Sequence, residues 1–217
     1  MLPVVVAVSL LNCGKAVEQT KPFAAEPAGK PAVADDRPVI ACFGDSLSAG
    51  YGLEPGKSYP DLLQQLVDAA GFRYRVVNLG VSGDTTTDGV ERLSSVIAVK
   101  PEIVVLEFGG NDGLRGLPVA STASNMGTMA EALQKAGARV VLAGMSLPRN
   151  YGADYIRSFE KTYVDVAQRY KLVRIPFLLE GVGGNPALIQ PDGIHPNPEG
   201  TRIVAATVMK YVKPLLR

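Results

Sequence analysis

The 217-residue chain is 47% hydrophobic and 20% charged, a balance that is typical of a globular domain rather than of a disordered tail. Its 22 basic and 21 acidic side chains give a formal net charge of +1, which argues against nucleic acid as a partner because that function needs a clustered basic excess. Two cysteines and the single histidine, His195, exclude a disulfide framework, a four-cysteine zinc site and a metal site built from several histidines.

The N-terminal segment differs in character from the rest of the chain. Residues 1–11 are almost wholly apolar and resemble the core of a signal peptide, but they are too few to span a bilayer, which takes about 20 residues. Cys13 follows in the sequence LLNC, which resembles the cleavage box of a bacterial lipoprotein except at Asn12. Residues 14–36 lack apolar periodicity, as a flexible spacer does. We therefore expect residues 1–36 to be a signal or lipoprotein-like segment with a spacer, and residues 37–217 to be the folded domain.

This segment leaves two locations open. If Cys13 is lipidated, the protein is attached to a membrane as an anchored lipoprotein. If an ordinary signal peptide is removed instead, the protein is a soluble periplasmic or secreted one. The two alternatives differ in the fate of one cysteine and leave the fold unaffected.

Short apolar runs alternate with segments of helical periodicity over the rest of the chain. The predicted strands are 38–43, 75–79, 102–108, 139–143 and 172–176. The predicted helices are 58–71, 85–99, 123–136, 154–170 and 199–212. Continuous apolar strands are typical of a parallel sheet buried on both faces. The repeated strand–helix units therefore predict a doubly wound, flavodoxin-like three-layer α/β/α sandwich with a five-stranded parallel sheet.

Two of the predicted helices carry more detailed signals. Ser58 is a suitable N-cap for the first, with Pro60 near its first turn. In the second, Val90, Leu93 and Ile97 are expected to lie on one face.

Ligands bind to such sheets beyond the carboxyl ends of the strands, so the loops at that edge carry the functional candidates. The first loop reads GDSLSAG and places Ser46 just after a strand, where its hydroxyl would be presented at the sheet edge. Backbone amides behind it would stabilise an oxyanion. An ordinary Gly/Ser turn fits the same residues, and the pattern is not the G-x-S-x-G elbow of α/β-hydrolases.

Two further loops contain groups that could donate hydrogen bonds to an oxyanion. The loop after the third strand contains Asn111 in the sequence GGND, and its side-chain amide is a suitable donor. The loop after the second strand offers the backbone amide of Gly83 in the sequence VSGD. The alternative is that these residues only form turns, which Asn and Gly favour.

The last loop contains Asp192 three residues before His195. A carboxylate there would accept a hydrogen bond from the ring and leave its other nitrogen free to act as a base toward Ser46. A structural cap on the closing helix is the alternative. Because all these loops lie at one sheet edge, their convergence favours catalysis. Asp45, next to the serine, is expected to point elsewhere and fix the loop by a hydrogen bond.

The sequence resembles the SGNH (GDSL) hydrolase family, and in particular its bacterial thioesterase I, lysophospholipase and arylesterase branch. The matching segments span most of the chain after residue 37 and are GDSLSAGYGL, SGDTT, GGNDGLRG, LPRNYG and DGIHPN. The resemblance implies that Ser46 is the nucleophile, His195 the general base and Asp192 the acid that orients it. It also implies an oxyanion hole formed by the backbone amides of Ser46 and Gly83 and the side chain of Asn111.

The resemblance further implies a serine esterase that acts through an acyl-enzyme without metal or cofactor. Its substrates would be small-molecule esters with short- to medium-chain acyl or aryl groups, or thioesters or lysophospholipids. Tyr51, Pro148 and Tyr151 are candidate substrate contacts. The alternatives are a carbohydrate O-acetylesterase and a noncatalytic surface domain that binds lipid or glycan.

Overall fold

The structure, a computed structural model, describes residues 35–217. The predictions for the N-terminal segment, including lipidation of Cys13, lie outside the described residues. Within residues 35–217, no helix combines the length and the apolar character that crossing a membrane requires.

The core of the fold is a five-stranded sheet in which every strand is parallel to its neighbours. The strands are β1 (Val39–Gly44), β2 (Arg75–Asn78), β3 (Pro101–Glu107), β4 (Arg139–Ala143) and β5 (Val173–Ile175). Their order is β2-β1-β3-β4-β5, the flavodoxin-like arrangement. The predicted fold class is therefore confirmed. All of β1 is buried, which explains why its sequence is a continuous apolar run.

Two groups of helices cover the sheet. The helices are α1 (Ser46–Ala49), α2 (Tyr59–Ala69), α3 (Thr86–Glu91), α4 (Leu93–Ala98), α5 (Gly110–Leu114), α6 (Val119–Lys135), α7 (Ala153–Tyr170) and α8 (Pro198–Val212). Helix α2 packs beside α8, whereas α6 packs between α3 and α7. The sheet thus lies between two helical layers. The short helix α5, at the carboxyl edge of the sheet, was not predicted from the sequence.

The start of α2 is fixed by the residue that the sequence indicated. The Ser58 side chain accepts from the Asp61 amide, and the Asp61 carboxylate accepts from the Ser58 amide at 3.0 Å. This capping box satisfies amides that the first helical turn leaves unpaired. Among the strand boundaries, that of β4 matches the prediction at both ends.

The predicted helix over 85–99 is wrong in one respect, because the structure divides it into α3 and α4. The break lies at Arg92, whose backbone (φ −99°, ψ 13°) leaves the helical region. After the break, Val96 is completely buried, whereas Ile97 is 36% exposed. The expectation that the three residues share one face is therefore wrong for Ile97, although Val90 and Leu93 do contact the core.

The side chain of Arg92 accounts for the position of this break. Its Nη1 donates to the Leu79 carbonyl and its Nη2 to the Gly44 carbonyl, both at 2.7 Å. Its Nε lies 2.5 Å from a carboxylate oxygen of Asp84. Leu79 and Gly44 stand at the ends of neighbouring strands, so a single guanidinium joins the loops that follow β1 and β2.

Two aromatic rings enclose the same guanidinium. Its central carbon lies 4.6 Å from the ring centroid of Phe43 and 5.5 Å from that of Phe108. These contacts add cation–π attraction and reduce access of water to the ion pair. Only 22% of the Arg92 side chain and 13% of the Asp84 side chain are exposed.

Removing this cation is expected to destabilise the fold. Arg92→Met keeps much of the side-chain volume but leaves the buried Asp84 carboxylate without its partner, which should lower the free energy of unfolding by about 3 kcal/mol. Arg202→Met is the matched control, because Arg202 forms an exposed pair with Glu199 and such pairs contribute only about 0–1 kcal/mol. Urea denaturation measures the free energy of unfolding of both variants. Equal losses of this free energy in Arg92→Met and Arg202→Met would contradict the stabilising role of Arg92.

Candidate active site

The position of Ser46 follows from the way the chain leaves β1. Asp45 caps α1, because its Oδ1 accepts a hydrogen bond of 3.1 Å from the Leu47 amide. This is the loop-fixing role expected for Asp45, and it makes Ser46 the first residue of the helix. The expectation that the Asp45 side chain points away from the serine is wrong, because the Ser46 hydroxyl also donates to its Oδ1 at 3.4 Å. Only glycine fits at position 44, since a Cβ there would lie 2.3 Å from the Ser48 hydroxyl.

His195 joins the serine and the acid in a chain of hydrogen bonds. Its Nε2 lies 2.8 Å from Ser46 Oγ, and its Nδ1 lies 2.7 Å from Asp192 Oδ2. The other carboxylate oxygen of Asp192 accepts from the backbone amides of Ile194 and His195, each at 3.0 Å. Because a carboxylate only accepts, Nδ1 carries the proton, and Nε2 is left to accept from the serine hydroxyl.

The surroundings of Asp192 keep it ionised. Partial burial by itself raises the pKa of the carboxyl group. Hydrogen bonds from the amides of His195 and Ile194 and from the imidazole outweigh this, so the net shift of the Asp192 pKa is downward from 3.8. The carboxylate is therefore available to stabilise a positive charge on the ring.

One side chain fixes the histidine loop to the serine loop. Gln190 Nε2 donates to the Pro196 carbonyl at 2.9 Å and to the Tyr51 carbonyl at 2.8 Å. The backbone amide of Gln190 also donates to the His195 carbonyl at 2.7 Å. These contacts set the separation of Ser46 and His195. The sequence analysis missed Gln190, and no local pattern marks it.

The remaining candidates also lie around Ser46. Asn111 belongs to α5, and its Nδ2 donates to Asp45 Oδ2 at 3.1 Å and to the Asp84 carbonyl at 2.8 Å. Both of its amide protons are engaged in this structure, so an oxyanion would share one of them. Within residues 35–217, nothing accepts a hydrogen bond from the backbone amides of Ser46 and Gly83. These two amides have the free donors that an oxyanion requires.

A cavity of about 1580 Å³ opens over Ser46 and His195. It exceeds the roughly 300–1,000 Å³ of a typical small-molecule site. Its apolar lining includes Leu114, Met145, Leu147, Phe177, Leu179 and Ile189. The described residues contain no cluster of three or more His, Cys, Asp or Glu side chains that could hold a metal ion.

The three candidate substrate contacts have different positions. Tyr51 lines the cavity, is 52% exposed and lies over the imidazole of His195, with ring centroids 4.6 Å apart. Pro148 also lines the cavity. The structure does not bring Tyr151 to the cavity wall, because its hydroxyl donates to the Leu114 carbonyl at 2.9 Å and its ring packs against the core. Tyr151 therefore anchors its own loop to Leu114 rather than contacting a substrate in the cavity.

Comparison with known proteins relates this geometry to a family. The model of the GDSL-like lipase/acylhydrolase family matches residues 42–203. The "Esterase TesA" of Pseudomonas aeruginosa is 44% identical over 179 residues, which cover 82% of this chain and 89% of that protein. The "Thioesterase 1/protease 1/lysophospholipase L1" of Escherichia coli K12 is 35% identical over 179 residues, covering 82% of this chain and 85% of that protein.

The similarity extends to the three-dimensional structure. The crystal structure of TesA superposes on this fold with a TM-score of 0.80 at 43% sequence identity. The match covers 82% of this chain and 99% of that chain. The family match spans all four loops that carry the candidate residues.

Proposed function

The chain belongs to the GDSL-like lipase/acylhydrolase family and is a carboxylic ester hydrolase, and from this premise we propose that it works through an acyl-enzyme formed on Ser46. The observation that carries the proposal is the continuous chain of hydrogen bonds from Ser46 Oγ through His195 to Asp192, with lengths of 2.8 and 2.7 Å. A nucleophile, a base and an orienting acid within hydrogen-bond reach are the minimum for this chemistry.

Acylation begins when Ser46 Oγ attacks the ester carbonyl while His195 Nε2 takes the hydroxyl proton. Asp192 stabilises the imidazolium that results. The tetrahedral intermediate then collapses, the bond to the leaving oxygen breaks, and the imidazolium gives that oxygen its proton, which releases the alcohol. The serine is left esterified by the acyl group.

Deacylation repeats these steps with water as the nucleophile. His195 takes a proton from water as the water oxygen attacks the acyl carbon. It then returns a proton to Ser46 Oγ as the acid leaves. In both halves the carbonyl oxygen becomes negative, and the backbone amides of Ser46 and Gly83 with the side chain of Asn111 stabilise it.

The substrates are small-molecule esters, and the finer preference is for short- to medium-chain acyl or aryl groups, with thioesters and lysophospholipids as further candidates. Two observations support this range: the apolar lining of the cavity and the activities for which the relatives are named, which include an esterase and a thioesterase 1/lysophospholipase L1. A panel of acyl chains and leaving groups measured by kcat/KM tests it. A preference for acetylated sugars would instead favour a carbohydrate O-acetylesterase.

The roles of the three residues are tested by their removal. Ser46→Ala and His195→Ala should each lower kcat for a p-nitrophenyl ester by about 10⁶-fold. Asp192→Ala should lose less, because Asp192 takes no part in the bond changes. Ser124→Ala, at an exposed position on α6, is the matched control and should keep full activity. A Ser46→Ala protein that retains several per cent of the activity, free of contaminating enzyme, would overturn the mechanism.

The role of Asn111 is tested by separating kcat from KM. Its amide should stabilise the tetrahedral oxyanion more than the ground-state carbonyl, so Asn111→Ala should lower kcat by roughly 10²–10³-fold with little change in KM. Asn185 forms a turn outside the cavity, where its side chain accepts from the Ala187 amide. Asn185→Ala should therefore lower only the melting temperature. An Asn111→Ala protein that behaves in this same way would make Asn111 a turn residue.

Residues 1–36 are proposed to direct export to the periplasm or the exterior, with Cys13 as the site of lipidation. A lipoprotein cysteine carries several acyl chains, which suffice for stable anchoring where a single chain binds only marginally. The full-length protein made in a bacterium should therefore sediment with membranes, and Cys13→Ser should release it. Equal solubility of the two proteins, with no mass added at Cys13, would reject lipidation and leave the esterase mechanism intact.

A further inference from the structure

Two carboxyl groups lie together beneath the nucleophile, and the proposed mechanism uses neither of them. Glu107, the last residue of β3, is completely buried, and Asp45 is 3% exposed. Glu107 Oε2 accepts from the Asp45 backbone amide at 3.2 Å. After burial, which raises the pKa of both groups, hydrogen bonding between the two side chains lowers the pKa of Asp45 and raises that of Glu107. Within the described residues, neither carboxyl group has a salt-bridge partner. Two carboxylates buried together without a cation are strongly disfavoured, so the pair has to hold a proton.

The hydrogen bonds around Glu107 indicate where this proton lies. Its Oε2 accepts from the Asp45 amide at 3.2 Å, the Ser48 amide at 3.3 Å and the Ser48 hydroxyl at 2.8 Å. Its Oε1 is buried and receives no hydrogen bond from any donor in residues 35–217. Oε2 thus accepts three hydrogen bonds, and Oε1 accepts none. This difference is expected of a protonated carboxyl group whose hydroxyl is at Oε1.

Asp45 has the opposite surroundings. Its Oδ1 accepts from the Leu47 amide at 3.1 Å, and its Oδ2 accepts from Asn111 Nδ2 at 3.1 Å. Both oxygens therefore act as acceptors, as those of a carboxylate do. Burial raises the pKa of Asp45 to about 6 and raises that of Glu107 well above 4.5. Both directions agree with a pair in which Glu107 keeps the proton at neutral pH.

The other titratable side chains around Glu107 carry no charge at neutral pH. They are Cys42 on β1, Tyr59 on α2 and Tyr163 on α7. Burial raises the pKa of Cys42 to about 12 and that of each tyrosine well above 10. Glu107 thus has no neighbouring cation to stabilise a second negative charge, whereas Asp45 also interacts with His195, which lowers the pKa of Asp45.

We propose that Glu107 is a positioning residue that acts as a neutral carboxylic acid: its Oε1–H donates to the Asp45 carboxylate and so holds the acceptor that fixes both the turn of Ser46 and the amide of Asn111. The inference rests on the proposed function, because it concerns the support of that same nucleophile and oxyanion donor. If Asp45 shifts, the Leu47 amide and the Asn111 side chain lose their common partner. A displacement of about 1 Å at a catalytic group can cost 10²-fold in rate.

A pair of substitutions at position 107 separates this role from simple packing. Glu107→Gln keeps an acceptor for the Ser48 hydroxyl and a donor for Asp45, so kcat should stay within about threefold of the wild type, since a neutral donor replaces a neutral donor. Glu107→Leu has similar volume and neither group, so kcat should fall by roughly 10–100-fold with little change in KM. Thermal unfolding of both variants is measured alongside.

The proton itself is tested without reference to activity. At about pH 8, above the pKa of about 6 for Asp45, ordinary carboxyl groups are ionised. The infrared spectrum of the full-length wild-type protein should then show the C=O stretching band of a protonated carboxyl group, and Glu107→Gln should lack it. If Glu107→Leu fails to fold, this band and the activity of Glu107→Gln still decide the matter.

Two results would overturn the proposal: a wild-type spectrum without that band, or a Glu107→Gln protein as impaired in kcat as Glu107→Leu. Either result would leave the acyl-enzyme mechanism standing, provided that Ser46→Ala is inactive. Conversely, an active Ser46→Ala protein would refute the mechanism whatever the infrared band shows. The two failures are therefore distinguishable.

Discussion

The carboxyl edge of the sheet depends on one partly buried cation, the guanidinium of Arg92. Strand ends in a parallel sheet leave carbonyl groups without partners at the place where the chain must turn toward the next helix. Arg92 donates to the carbonyl of Leu79 and to that of Gly44, which also accepts from the Val81 amide, and it pairs with Asp84. Because the contacts join two backbone carbonyls and one side-chain carboxylate, they connect the loops that follow β1 and β2. The backbone of Arg92 leaves the helical conformation at the position where its side chain makes these contacts.

Asp84 extends this support into the active site. Its carboxylate pairs with Arg92, and its backbone carbonyl accepts a proton of the Asn111 side chain. The other proton of that side chain is held by Asp45, the residue that caps the helix of Ser46. The nucleophile and the oxyanion donor are therefore attached to the same buried framework. Preorganised donors of this kind need no rearrangement when charge develops on the substrate, which is the main way in which an oxyanion hole lowers the barrier.

The histidine loop joins this framework from the other end of the chain. Ser46 and His195 are 149 positions apart in sequence. Among the described residues, Gln190 is the only one whose side chain binds backbone carbonyls of both loops. Tyr51 lies over the imidazole and is half exposed to the cavity. A tyrosine ring in this position excludes water from one face of the base and attracts the imidazolium through its π-electrons. The catalytic base is thus positioned by contacts from both loops.

The sequence by itself determined the features that depend on neighbouring residues. Apolar runs located the five strands, and Ser58 with Pro60 indicated a helix start. The spacing of Asp192 and His195 placed a carboxylate beside the ring. The loops after successive parallel strands meet at one edge, so Ser46, Gly83 and Asn111 could be grouped before any distance was known. Tertiary structure decided the rest, because the interactions concerned join distant segments. Arg92, at the break between two helices, donates to a carbonyl 48 positions away. Glu107 accepts a hydrogen bond from Ser48 across 59 positions, and Gln190 donates one to Tyr51 across 139 positions. A local pattern contains no information about such partners, since their energy exists only once the chain has folded and excluded water from between them.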